Sequence, residues 1–167
     1  MIRKATIEDV EPITEVHDLS WQSAYRGLLP DEALDNINYQ ERHEMWGRTI
    51  RQSPGETIVA DIDSKIVGFA NFGSYRDDNC IRAGEIRAIY LLSEFWGKGI
   101  GSELLAHATG FLKNSYDIVL LWVLNSNLNA ISFYEHHGFV QEGIEKEENV
   151  WGAIVHEIRM RKTINPQ

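Results

Sequence analysis

Gly97, Gly99 and Gly101 stand at alternate positions in Ile89-Tyr90-Leu91-Leu92-Ser93-Glu94-Phe95-Trp96-Gly97-Lys98-Gly99-Ile100-Gly101-Ser102. Glycine lets a backbone take φ > 0 and come close to a ligand. A helix that begins here leaves its first amide N–H groups unpaired, and its dipole favours an anion. A run of such amides is a nest suited to a pyrophosphate, to which Lys98 adds a positive charge. The bland alternative is an ordinary strand-to-helix turn, in which glycine is also common.

Two other phosphate loops are disfavoured. The Walker pattern fails because Lys98 lacks the required preceding glycine spacing and no Ser or Thr follows it. The dinucleotide pattern needs a glycine where Leu104 stands and an acidic residue at the end of the next strand, whereas Asp117 lies at its beginning. A nicotinamide or flavin site does not fit.

The elements around this turn are legible. Gly84 to Leu92 alternates as a strand, and Ile100, Leu104, Leu105, Ala108, Phe111 and Leu112 form the apolar stripe of the helix after it. Asp117 to Leu124 is nearly all apolar, as a central strand covered on both faces would be. Asn127 can cap a last helix, and Gly138 with Phe139 suits its left-handed end. Upstream, Thr6 to Asp9 resembles a capping box ahead of a helix from Glu8 to about Tyr25. Helices at Asp31 to Asn36 and Tyr39 to Gln52 follow, then a hairpin of strands from Thr57 to Gly73. A strand at Ile2 to Ala5 opens the chain, and strands at about Val140 to Glu145 and Ala153 to Lys162 close it. The class is α/β with a mixed sheet.

The chain has 167 residues, the usual size of one domain, and no linker or repeat divides 1–167. Lys plus Arg number 16 against 25 Asp plus Glu, a net charge of −9, which argues against nucleic acid or an anionic membrane as the main partner. The single cysteine, Cys80, rules out an internal disulfide framework and has no flanking cysteine to suggest a catalytic thiol. The N-terminus shows no apolar stretch of signal-peptide length, so the expected compartment is the cytoplasm. The six histidines include no pair at the i, i+4 spacing of a helical zinc site, so no metal is expected. A homodimer is expected only from the base rate for soluble oligomers.

Trp96-Gly97-Lys98-Gly99-Ile100-Gly101 resembles the acetyl-CoA loop of the GNAT (Gcn5-related N-acetyltransferase) superfamily, whose pattern is Arg or Gln, two residues, Gly, one residue, Gly or Ala. The first position departs, with Trp96 in place of Arg or Gln. Asn127-Leu128-Asn129-Ala130-Ile131-Ser132-Phe133-Tyr134-Glu135-His136-His137-Gly138-Phe139 is similar to the family's N-x-x-A-x-x-F-Y-x-x-x-G-F segment. Trp21 to Pro30 and Glu157 to Met160 resemble one common branch of the same enzymes, so the likeness covers almost the whole chain.

The resemblance implies a mixed sheet of about seven strands flanked by helices and splayed between the fourth and fifth strands. It implies direct transfer of acetyl from acetyl-CoA, the co-substrate, to a primary amine of a small molecule or peptide in a ternary complex. Gly97, Lys98, Gly99, Ile100, Gly101 and Ser102 would hold the pyrophosphate. Ile89 and Leu91 would pair with the pantetheine arm like an added strand. Asn127 would contact the same arm, and the Leu91 N–H would serve the developing oxyanion. Tyr134 would be the general acid that protonates the departing thiolate. The amine must shed a proton from an ammonium of pKa ~10.4. Glu85 is the expected base, with Asp31, Glu32 and Glu157 left open beside it. Trp21, Tyr25, Leu29 and Trp151 are the expected acceptor-pocket residues. Two rivals stay open: a non-catalytic acyl-CoA-binding or sensing module, and a protein N-terminal or lysine acetyltransferase.

Overall fold

The computed structural model describes residues 1–78, 81–150 and 152–165. The strands are β1 (Ile2–Lys4), β2 (Thr57–Ile62), β3 (Lys65–Ser74), β4 (Gly84–Leu91), β5 (Ile118–Leu124), β6 (Val140–Val150) and β7 (Ala153–Thr163). The helices are α1 (Val10–Tyr25), α2 (Asp31–Asp35), α3 (Tyr39–Gln52), α4 (Ile100–Leu112) and α5 (Leu128–His136). The seven strands form one sheet in the order β1-β2-β3-β4-β5-β7-β6. Every pairing is antiparallel except β4 with β5.

Side-chain alternation along β3 gives the sheet two covered faces. Phe69 meets His17 of α1 and Trp46 of α3, at ring separations of 5.7 and 4.9 Å. A Cβ on its neighbour Gly68 would instead approach Leu104 of α4. The main core runs through both layers, with Ile13, Phe69, Leu104 and Val119 fully buried. A smaller cluster of Leu29, Leu34, Leu124 and Val155, with Trp21 and Tyr25 against it, closes the sheet near the C-terminal ends of β4 and β5.

Two boundaries moved by more than one residue from their sequence expectations. A short 3-10 turn at Ile7–Asp9 precedes α1, where the Thr6 N–H donates to Asp9 Oδ2 at 2.8 Å. Strand β6 continues past Glu145 to Val150, because β7 pairs with it as far as Val150↔Ala153. Two acidic residues of β6 find cations, Glu142 at Arg159 across the hairpin and Glu148 at Lys146 on the same strand.

The expected splay is present. Strands β4 and β5 pair only at Gly84↔Val119 and Glu85↔Leu120. Beyond that point their facing edges separate, and the cleft described next opens there.

Candidate active site

The cleft has a volume of about 520 Å³ and runs through the splay from α1 to the glycine turn. Ile89, Leu91, Gly97, Asn127 and Tyr134 line one part of it, and Trp21, Tyr25 and Leu29 another. Eight of the expected CoA-binding and acceptor-pocket residues, drawn from five segments, therefore meet at one opening. Trp151 and Cys80 lie outside the described residues.

The direction of the β4 edge follows from one hydrogen bond. The Leu92 N–H donates to Val67 O on the β3 side at 2.9 Å. Main-chain groups alternate along an antiparallel strand, so those of Leu91 and Ile89 point away from β3, into the splay. The Leu91 carbonyl already has one partner there, the Trp96 indole N–H at 2.8 Å. That bond is what Trp96 contributes where the resemblance has Arg or Gln, and no spacing in the sequence announces it.

The glycine turn has the geometry its sequence implies. Gly97 and Gly99 lie at φ +72 and +82, where a side chain would be strained, and a Cβ at either would meet nothing within 4 Å. Conformation rather than crowding demands glycine here, and the space above the turn is open. Among the described residues, no main-chain N–H from Gly97 to Ser102 donates to another main-chain group; the first α4 bond is Glu103 N–H to Gly99 O at 3.0 Å. Ile100 turns its side chain into the core, so it offers only its backbone. Lys98 sits with Nζ 4.9 Å from the Phe95 ring centre. These features suit a diphosphate, and the free strand edge beside them suits an amide-bearing arm.

Ser102 brings in a residue absent from the sequence expectations. His137 Nδ1 lies 2.7 Å from the Phe133 carbonyl, which can only accept, so Nδ1 carries the hydrogen. In the neutral ring Nε2 then accepts from the Ser102 hydroxyl at 2.9 Å. This contact ties the end of α5 to the start of α4. Asn127 is the cap expected of it, its Oδ1 accepting from the Ala130 N–H at 3.2 Å.

Three phenols gather on the wall. Tyr25 and Tyr90 have hydroxyls 3.3 Å apart. Burial pushes Tyr134 well above the ordinary phenol range, with neighbouring Tyr90 adding to the rise, and burial raises Tyr25 and Tyr90 as well. All three stay protonated at neutral pH.

The two carboxylates differ in surroundings. Glu85 is 3% exposed and accepts from Arg76 at both oxygens, each at 3.0 Å, with Arg87 Nε 3.9 Å away. It does not line the cleft. Glu157 does line it. Burial raises the Glu157 carboxyl above its usual range, and Lys146, 3.8 Å away, partly offsets that. Asp31 and Glu32 lie at the start of α2, outside the lining, and Asp31 is paired with Arg26. Among the described residues no group of three His, Cys, Asp or Glu side chains is placed to hold a metal ion.

Comparison with known proteins agrees with this geometry. Residues 10–139 match the model of the "Acetyltransferase (GNAT) family". The chain is 34% identical over 135 residues to the uncharacterized N-acetyltransferase YuaI of Bacillus subtilis, covering 80% of this chain and 76% of that one. It is 28% identical to a spermidine N(1)-acetyltransferase of Thermoplasma acidophilum, over 84% of this chain and 88% of that protein. Among solved structures, the PaiA N-acetyltransferase of Thermoplasma acidophilum in complex with coenzyme A superposes with a TM-score of 0.78 at 26% identity, covering 98% of both chains. The chain belongs to the GNAT acetyltransferase family.

Proposed function

We propose that this protein transfers acetyl from acetyl-CoA to a primary amine by direct attack in a ternary complex. The observation that carries the reading is the continuity of one cleft from the unpaired amides at Gly97, past the free edge of β4 and Tyr134, to the aromatic chamber at Trp21 and Tyr25. Residues Gly97 to Ser102 hold the diphosphate through main-chain donors, and Ile89 and Leu91 pair with the pantetheine amides. Acetyl-CoA supplies the activated thioester.

Tyr134 is the general acid. Its shielded phenol keeps its proton at neutral pH and releases it to the sulfur as the carbon–sulfur bond breaks. The Leu91 N–H donates to the thioester carbonyl oxygen as that atom gains charge. We assign the amine's proton to Glu157 rather than Glu85. Glu157 faces the cleft with a carboxyl biased toward proton uptake, whereas Glu85 is engaged with Arg76. The amine nitrogen bonds to the acetyl carbon as the carbon–sulfur bond breaks. Glu157 takes the proton that the ammonium sheds before attack and returns it to solvent, and the second nitrogen proton, lost as the amide forms, restores Tyr134 through solvent.

The test is thiol release from acetyl-CoA with a panel of amines, for wild type and Tyr134→Phe. Loss of a general acid is expected to lower kcat by about 10²-fold or more while CoA affinity holds. Tight CoA binding with no turnover on any amine would favour the non-catalytic module instead.

A further inference from the structure

The acceptor chamber offers charge for one cation and no more. Glu157 is the single carboxylate in the lining among the described residues, and Arg87 is the other charged group there. Apart from Ser20 and Ser23, the rest of the acceptor half is apolar or aromatic, through Leu29, Leu124, Val150 and Val155 with Trp21 and Trp122.

Several carboxylates outside the lining sit in ion pairs, most of them sharing a cation. Asp31 and Asp35 share Arg26. Asp77, Glu148 and Glu157 share Lys146, and Glu142 holds Arg159. The aromatic faces are taken as well. Lys146 Nζ lies 4.4 Å from the Trp122 ring centre, Arg159 lies 5.9 Å from the same ring, and Arg42 lies 5.1 Å from the ring of Trp21. A second ammonium along this wall would lose water against Leu29, Val150 and Val155 with no second carboxylate in the lining to replace it, while Lys146 and Arg159 already lie against the Trp122 ring.

Resting on the acetyltransferase reading above, we infer that the acceptor is a primary amine carrying one positive charge on an apolar body, and that polyamines are poor substrates. The single ammonium pairs with Glu157 and loses its proton there. The hydrocarbon or aromatic portion lies against Leu29, Val150 and Val155. This departs from the spermidine specificity named for one relative. It follows from Glu157 being the single carboxylate among the described residues of the lining, set in a wall that is mostly apolar and aromatic.

The experiment compares kcat/KM for hexylamine, phenethylamine, hexamethylenediamine and spermidine, following thiol release at one neutral pH and saturating acetyl-CoA. Hexylamine and hexamethylenediamine share one chain length and differ in the second charge. The monoamines are expected to exceed both di- and polyamine by on the order of tenfold. Lys146→Met would then leave Asp77, Glu148 and Glu157 without their shared cation, and the diamine-to-monoamine ratio should rise several-fold. A diamine or spermidine used as well as the monoamine, or a ratio that Lys146→Met does not move, would overturn the inference while leaving acetyl transfer intact. No thiol release with any amine would overturn both.

Discussion

The indole N–H of Trp96 donates to the carbonyl oxygen of Leu91 at 2.8 Å, joining the approach to the glycine turn to the last residue of β4. The two partners of the proposed CoA site, strand edge and phosphate nest, are thereby held in one relative orientation.

Trp96→Phe keeps an aromatic ring and removes that donor. The carbonyl stays within reach of water, so the expected loss is one modest hydrogen bond of about 0.5–1.5 kcal/mol, or roughly two- to tenfold in CoA affinity by calorimetry. The effect should fall on KM for acetyl-CoA with kcat nearly unchanged. Trp96→Gln, which restores a donor, should recover most of the loss. An unchanged Kd in Trp96→Phe would remove this positioning role.

Glu85 and Glu157 predict opposite phenotypes. Glu85→Gln weakens a buried pair whose partner Arg76 is half exposed, so a stability loss of about 1–3 kcal/mol is expected by urea titration, with kcat within a few-fold of wild type. Glu157→Gln should fold normally and lose about 10²-fold or more in kcat. The reverse pattern would return the base to Glu85. Because burial raises the Glu157 carboxyl, the acid limb of the kcat profile should sit above the ordinary carboxylate value of 4.5, with activity rising as pH increases through it.

His17 gives the fold an acid-sensitive point. Its Nδ1 accepts from the Trp46 indole at 3.0 Å, and its ring stacks on Tyr90 at 4.8 Å. Burial, helped by the charge of Arg42, holds it well below the usual imidazole value of 6.5. The unfolded chain therefore takes up a proton below about pH 6.5 that the folded chain refuses. The His17 contribution to stability is complete above that pH and declines as the pH falls below it, by at most about 1.4 kcal/mol per pH unit. Urea midpoints at about pH 7.5 and about pH 5.5 should diverge more in wild type than in His17→Gln, which retains an acceptor for Trp46. Equal divergence in the two proteins would locate the sensitive proton elsewhere.

Much of the fold was legible because its causes are local. Helical stripes such as Ile100 to Leu112, the cap at Asn127 and the positive φ at Gly97, Gly99 and Gly138 each depend on a few consecutive residues. Strand β6 ran five residues past its expected end because its partner β7, rather than its own acidic composition, decides how far it stays extended.

The sequence by itself determined the α/β class, the turn whose amides stay unpaired, and the membership of Tyr134 and Asn127 in one segment. Only the tertiary structure decided that Glu157 faces the cleft while Glu85 is taken by Arg76, that Ser102 leans on His137, and that Trp96 claims the edge of β4. A capping or glycine conformation is set by neighbours along the chain. A carboxylate's role is set by whichever charge lies beside it in space, and that depends on how far apart β4 and β5 separate and where the β6–β7 hairpin returns.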